Sequence, residues 1–379
     1  MRLRTLLKHF RPSCCLVLGL TASLVAASYG CNRGGTETNG LPVVIAATIP
    51  LTGDAASYGE IQRRGITLAL NKINTDPAHP LLKIVYKDSQ LNPKEAVNAL
   101  EQSLSLDHAQ VVFSISTGEV LAQAPICDER KVVLLSPLAS GDEISKAGPY
   151  VFRVAPSDSF QGKAMADKIL SLGLKRIGLL NVNDSFGVGL AAKFRQTFEK
   201  GGGSVVDTES VNPGQTDMRT QLEKLRAARP DGLFLILHPG EAVAVLKQVK
   251  QLGIHTRLFG ADTFSNRDIY TAAKDQAQGV IFTLPAEPDS PAFKQFKAEY
   301  DAAYHGPADI NAADAYDATM LVARAIQGGA RTGDQIKQFF DQRQPYEGAS
   351  GLIQWDENGD VISKKYQVYV IKGDGYQPL

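Results

Sequence analysis

Cysteine is scarce in this chain: only four of its 379 residues are Cys, and Cys14, Cys15 and Cys31 all precede the globular pattern. Cys127 is then the single thiol of the folded part, which excludes a disulfide within it. No charge of one sign dominates, since Lys+Arg and Asp+Glu each total 40. Four of the cations (Arg2, Arg4, Lys8 and Arg11) sit in an N-terminal stretch without acids, and its removal leaves about −4 by simple counting. Nothing here suits a nucleic-acid partner. The six histidines, at 9, 79, 108, 238, 255 and 305, show no metal-ligand spacing, and Walker A, GxSxG and HExxH patterns are absent. These absences leave no motif on which to build an enzyme, and no cofactor is expected. The composition, 21% charged and 44% hydrophobic, is that of an ordinary soluble globular protein. The length exceeds the roughly 100–200 residues of one domain, so two domains are the starting expectation.

What is present is clearest from Leu41 to Asn74, LPVVIAATIPLTGDAASYGEIQRRGITLALNKIN. Val43 to Ile49 is a β-branched apolar run suited to a parallel strand buried on both faces. Pro50 to Asp54 breaks it. Ile61, Gly65, Leu68, Ala69 and Ile73 then share one helical face, with Gly65 letting the helix lie close on the sheet, and Asn74 to Pro77 end the helix. The loop between strand and helix occupies the carboxyl end of the strand, where open α/β sheets bind ligands. Strand and helix patterns continue to alternate, which implies doubly wound parallel sheets in two α/β lobes. Strands are expected from Leu82, Val111, Val132, Arg176, Ser204, Leu233, Leu258 and Val280. Helices are expected over Pro93–Leu106, Glu119–Glu129, Pro291–Tyr304, Ala312–Gln327 and Asp334–Phe340. Near the end, Gly351–Trp355 and Lys365–Ile371 flank Asp356 to Asp360 and read as a β-hairpin with a long turn.

The combination PLTG at Pro50 to Gly53, Tyr58-Gly59, and GITLALNKIN from Gly65 to Asn74 resembles the opening of the branched-chain amino-acid binding proteins of ABC importers, the type 1 periplasmic binding-protein family. The resemblance implies a Venus-flytrap clamp with three chain crossings, near Pro156 to Phe160, Pro285 to Asp289 and Pro345 to Ser350. Lobe 1 would then comprise residues 41–156 and 286–347, and lobe 2 residues 157–285 and 348–379.

The N-terminus is consistent with export. Its cations precede an apolar stretch, Cys14 to Ala27, that is too short to span a bilayer and is shaped like a signal-peptide core. Ser28-Tyr29-Gly30-Cys31 resembles a bacterial lipoprotein signal, with residues 1–30 removed and Cys31 lipidated, although Ser28 and Tyr29 depart from the usual pattern. An ordinary secretory signal cut near Ala27 is the alternative. Asn32 to Gly40 lacks apolar residues and reads as the end of a flexible tether spanning residues 31–40. The expected location is the periplasm or the outer face of the cytoplasmic membrane.

Candidate ligand groups lie in loops after strands. Ser116 and Thr117 lead into a helix, where hydroxyls and free N–H groups suit a carboxylate, or serve simply as a cap. Leu135 to Ser140 matches the family's SPxA[ST] pattern, which implies that Ser140 contacts the ligand carboxylate and the Leu138 carbonyl accepts from the ammonium, with Ala139 between them. Asp262 follows a strand where the family uses an acid, usually Glu, for the α-ammonium; alone it would read as a helix cap. Tyr58, Phe186 and His238 fall where relatives line the cleft, Phe186 replacing a common Tyr. Tyr58 and Phe186 favour an apolar side chain, whereas His238 and Arg63 could admit a polar one. The stretch Gly187 to Ala192 reads GxGxxA, like a dinucleotide fingerprint, but Asn181 to Phe186 separates it from its strand.

The expected function is therefore a lipid-anchored solute-binding protein that captures an α-amino acid, branched-chain or otherwise neutral, and delivers it to an ABC permease in the inner membrane. A binder of amides or urea, a ligand-sensing receptor and, more remotely, a nucleotide-dependent oxidoreductase are the alternatives.

Overall fold

The computed structural model describes residues 40–76 and 81–379; the signal, Cys31 and the tether through Asn39 lie outside them. The first lobe opens with β1 (Val43–Ile49), α1 (Ala56–Ile73), β2 (Leu82–Asp88), α2 (Pro93–Leu106), β3 (Val111–Ser114), α3 (Thr117–Arg130), β4 (Val133–Ser136) and β5 (Val151–Arg153). Its strands form a parallel sheet in the order β2-β1-β3-β4-β5. The second lobe continues with α4 (Asp158–Ser171), β6 (Arg176–Val182), α5 (Ser185–Lys200), β7 (Ser204–Val211), α6 (Arg219–Ala227), β8 (Gly232–Ile236), α7 (Pro239–Gln251), β9 (Arg257–Gly260), α8 (Arg267–Ala273) and β10 (Ile281–Pro285). The tail supplies α9 (Pro291–Tyr304), α10 (Ile310–Gln327), α11 (Gly333–Phe340), β11 (Tyr346–Gly348), β12 (Gly351–Ile353), β13 (Tyr366–Lys372) and β14 (Gly375–Pro378). The second sheet runs β14-β13-β10-β9-β8-β6-β7 and is parallel except at β13 and β14. The protein is thus a two-lobe α/β fold with two mainly parallel sheets, as the strand–helix alternation predicts.

Each sheet carries apolar side chains on both faces, which is why its strands read as continuous hydrophobic runs. In the first lobe, one face packs α2 and α3 against Ala46, Val112 and Leu134, and the other packs α1, α10 and α11 against Ile45, Phe113 and Leu135. In the second lobe, α4 and α5 cover Leu179 and Phe234, while the opposite face buries Leu235 and Phe282 with Leu246 and Phe293. Helix α10 lies along α1: Ala315 to Ile326 join the first core, while Ile310, Ala312, Ala313 and Tyr316 join a cluster that takes in Leu68 and Ala69 of α1 as well as second-lobe residues.

Two expectations about the tail are corrected. The two runs do not pair as a hairpin: a single antiparallel bridge, Trp355 to Val361, closes the Asp356–Asp360 turn, while β12 pairs with β11 and β13 adds antiparallel to β10 in the second sheet. Both runs favour strand, but the sequence does not specify their partners; Trp355 is drawn into the first lobe, 5.2 Å from Phe152 and 5.0 Å from Phe340 by ring centroids. Ile353, Trp355 and Val361 belong to that same core, and Val361 bridges to Pro156. The last passage into the second lobe therefore follows Val361, later than the Pro345–Ser350 segment suggested by the resemblance.

Gly65 also has a different partner from the one its pattern suggests. A Cβ placed there would lie 2.1 Å from the Ala312 carbonyl oxygen and 3.1 Å from the Ala315 Cβ, so the close approach is to α10 and not to the sheet. Substituting Gly65→Ala forces these helices apart. We expect a loss of about 1–3 kcal/mol in urea unfolding, and unchanged stability would show that this contact is not tight.

Candidate functional site

The loops at the carboxyl ends of both sheets face one another across a cleft. From the first lobe come Tyr58 in the first turn of α1, Ser116 and Thr117 at the start of α3, and Leu138, Ala139 and Ser140 after β4. The second lobe contributes Phe186 in the first turn of α5, His238 before α7, and Asp262 after β9. All nine line one cavity of about 50 Å³ between the lobes. Leu91, Ile115, Thr263 and Asn311 complete its wall and were not anticipated as site residues. Ile115 and Thr263 could have been found by adjacency to Ser116 and Asp262. Leu91 sits in a loop with left-handed backbone (φ 54°), and Asn311 arrives on α10 from the tail, so neither carries a local signal. Outside this cavity a wider chamber of about 480 Å³ shares Leu91, Ser116, Thr117, Phe186 and His238, and adds Asp54, Asp184 and Glu241.

One wall is built to accept negative charge. Ser116 caps α3, its Oγ accepting from the Glu119 N–H at 3.3 Å. The first N–H groups of a helix lack intrahelical partners and carry the positive end of its dipole, so this start is suited to a carboxylate. The Thr117 Oγ1 accepts from the Gly141 N–H at 3.1 Å, which ties the α3 start to the loop bearing Ser140.

The opposite wall carries uncompensated acid. Burial pushes the Asp262 carboxyl up to about 6, despite hydrogen bonds from the Gln161 side chain and the Thr263 N–H, the latter at 2.9 Å. Nearby, Asp158 at the start of α4 is fully buried, its carboxylate oxygens without a well-formed hydrogen bond although the Ser140 hydroxyl and the Arg153 charge act on it. Burial, reinforced by the charge of Asp262, pushes it well above the usual carboxylate range. Neither its sequence nor its position in a helix first turn marks it as more than a capping residue. The cationic side chain that acts most on Asp262 is His238, and its imidazole is committed elsewhere: Nε2 lies 2.7 Å from the Asp184 Oδ2. Burial lowers the His238 value, but the Asp184 pairing outweighs it and raises it overall. The ring stacks on Phe186 at 5.7 Å, and the Tyr58 hydroxyl, also buried, has no partner.

Asp184 additionally caps α5 by accepting from the Gly187 N–H at 2.8 Å. A Cβ at Gly187 would lie 2.1 Å from the Val182 carbonyl oxygen, so this glycine lets the helix start against the end of β6. The GxGxxA segment thus lies within α5 itself, with a packing reason for its first glycine. Polar contacts also cross the cleft rim: the Asn266 Nδ2 donates to the Ser57 Oγ at 3.0 Å, and Lys193 pairs with Asp142 at 2.6 Å.

Fold and site together define a two-lobe binding-protein architecture with a cavity between the lobes. The profile of the periplasmic binding proteins matches residues 42–376, and the chain belongs to that family of non-enzymatic binding proteins. A leucine-, isoleucine-, valine-, threonine- and alanine-binding protein of Pseudomonas aeruginosa is 27% identical over 92% of this chain and 94% of its own length. The crystal structure of a leucine-binding protein from Thermotoga maritima superposes with a TM-score of 0.83 at 26% identity, covering 89% of this chain and 97% of that one. A solute-binding protein from Rhodopseudomonas palustris in complex with 3,4-dihydroxybenzoic acid shares the fold, with a TM-score of 0.79 at 23% identity over 89% and 96% of the two chains. Among the described residues no helix is long and apolar enough to cross a membrane.

The Asp262 shift has a consequence for stability. A carboxyl with a folded value near 6 against 3.8 unfolded binds more protons when folded between those values, so its contribution is least unfavourable below about pH 4, worsens from about pH 4 to 6 and is fully present above. Asp262→Asn should therefore stabilise the ligand-free protein at pH 7.5 by roughly 2–3 kcal/mol, with the gain vanishing near pH 4. Urea unfolding at both pH values checks this; an equal effect at the two would remove the desolvated carboxylate from the account.

Proposed function

We propose that the protein is an extracytoplasmic solute-binding component of an ABC importer and that its solute is an α-amino acid with a neutral side chain. The observation that carries this reading is the Asp262 carboxylate, desolvated at the cavity wall, with a histidine already paired to Asp184 as the leading cation acting on it. Across the cavity lie the hydroxyls and helix start of Ser116 and Thr117, with Ser140 beside them. A zwitterion supplies the missing cation to one wall and an anion to the other. The α-carboxylate would rest on Ser116, Thr117 and Ser140, and the ammonium on Asp262 and the Leu138 carbonyl. Tyr58, Ala139, Phe186 and His238 would surround the side chain.

The relatives are compatible with more than one ligand class. The P. aeruginosa and T. maritima proteins are named for branched-chain and small amino acids, whereas the R. palustris protein holds an aromatic acid. An aromatic acid brings an anion without a cation, and Asp262 would repel it. An uncharged amide or urea would leave Asp262 unpaired. Ligand charges that bridge both lobes give the closed state its differential affinity, which drives closure. The moving parts would be the passages near Pro156, near Pro285 to Asp289 and after Val361.

A thermal-shift screen of the folded part from Asn32 onward, refolded free of co-purified solute, against the twenty amino acids, urea, short amides, benzoate and NAD tests this reading. A selective response to neutral amino acids is expected, since ligand at 100 times Kd adds about 2.7 kcal/mol. Asp262→Ala should weaken the selected amino acid by about a hundredfold or more, the cost of stranding one partner of a buried ion pair. Calorimetric titration showing unchanged affinity would send Asp262 back to a purely structural role.

Lipid anchoring at Cys31 belongs to the same proposal, supported by the N-terminal pattern of cations, short apolar core and small residue before cysteine. Expressed in a bacterial host, the full chain should partition with membranes, and Cys31→Ala should release it to the soluble extracytoplasmic fraction. Identical partitioning of both chains would mean that the export signal is not a lipoprotein signal.

A further inference from the structure

Arg153, the last residue of β5, is completely buried, an unusual place for a guanidinium. Its Nη1 donates to the Ser140 and Gly141 carbonyl oxygens, each at 3.0 Å. Its Nη2 donates to the Ser145 Oγ at 3.3 Å, and its Nε lies 2.7 Å from the Asp360 Oδ1. Ser145 in turn donates to Asp360. The backbone of Arg153 is held as firmly: its N–H donates to the Gly359 carbonyl at 3.1 Å, and its carbonyl accepts from the Trp355 Nε1 at 2.7 Å.

The two carbonyls it grips belong to the segment that presents Ser140 to the cavity. The Ser140 carbonyl also accepts from the Asp158 N–H at 2.8 Å. The next residue, Gly141, donates to Thr117 at the start of α3, and a Cβ at Gly141 would lie 2.3 Å from the Thr117 Cγ2. A continuous chain of contacts therefore runs from Arg153 through the loop to the helix start. It fixes the separation of Ser140 and Thr117, the two hydroxyls that flank the proposed carboxylate position. At its other end, Asp360 immediately precedes Val361, which bridges to Pro156 between the first and last passages.

We propose that Arg153 is a positioning residue for the anionic half of the ligand site, its planar fork holding the Ser140–Gly141 carbonyls in register with the α3 start while Asp360 ties it to the passages between lobes. This rests on the amino-acid reading above. Lysine cannot replace it, because an ammonium is a point donor and cannot span two carbonyls and a carboxylate at once. The effect falls mainly on the ligand carboxylate, since Asp262, the charged partner of the ammonium, follows β9, to which Arg153 makes no hydrogen bond.

The test compares L-leucine, or whichever amino acid the screen selects, with its α-carboxamide, which keeps the ammonium and side chain but has no carboxylate. Calorimetry or competition would be run on the parent protein and on Arg153→Lys, with Asp360→Asn as the second variant should the first not fold. Loss of geometry at a charged hydrogen-bonding site corresponds to roughly tenfold or more in affinity. The amino acid should weaken by about that factor while the carboxamide changes less than about twofold, so that the preference for the carboxylate collapses. Equal weakening of both ligands would mean that Arg153 supports the clamp only generally, and no change in either would mean that it acts on neither; both overturn the proposal. If the parent protein binds no amino acid, the functional reading fails and this inference falls with it, an outcome visible before any variant is made.

Discussion

A carboxylate taken out of water without a matching cation is the feature around which this molecule is arranged. Asp262 owes its position to β9, whose end meets the cleft, and its cost to the walls that close around it. In an ordinary core such a group would be replaced or paired, because desolvation of an ion outweighs most of what packing returns. Here the imidazole that could have neutralised it is turned to Asp184, and Asp184 is itself occupied in starting α5. The acid is left available. Asp158 deepens the effect, since two nearby carboxylates raise each other's cost of ionisation.

The parallel sheets make this arrangement possible. Strands that end at the cleft lead into loops or helix starts that face the same space, as β3 does into α3 and β6 into α5, so side chains and helix N-termini share each wall. In the first lobe these groups favour an anion at α3. In the second, the chain places acids at Asp184, Glu241 and Asp262. The asymmetry between walls makes a zwitterion a better fit than a simple acid or amide. It also gives a physical reason why relatives with one fold accept different solutes: the fold supplies the loops, and a few side chains set the sign of each wall.

Most of the fold was legible because buried parallel strands and amphipathic helices write strong, local patterns. Val43–Ile49, Pro93–Leu106 and Pro291–Tyr304 are bounded in the chain by turn or capping residues and emerge with the same limits in the structure. The nine expected site residues converge on one cavity because each follows a strand end, although most of them were marked by the family resemblance and not by local pattern. What could not be read was long-range. The partner of Gly65 is Ala312, and the partner of β13 is β10; no local pattern distinguishes these from the alternatives. Asn311 joins the cavity only because the start of α10, packed along α1, reaches it from the distant tail. Arg153 looks like a strand-end cation, and its burial becomes apparent only when Ser140, Gly141 and Asp360 gather around it.

The buried charges divide into two kinds by what completes them. Lys364 is fully answered within the protein, pairing with Asp314 and donating to Ser350 at 2.8 Å, while Asp317 accepts from the Ala349 and Ser350 N–H groups at 2.9 and 2.6 Å. These groups sit where the tail threads between the lobes, and they specify one arrangement of that passage whether or not a ligand is present. Asp262 lacks such an answer. If its unfavourable desolvation is relieved only by an incoming cation while the lobes are together, the relief appears as affinity for the closed state. A closed form without ligand is then penalised by the same amount that the ligand recovers. That difference, and not the total strength of the contacts, is what lets a small solute choose between an open and a closed clamp.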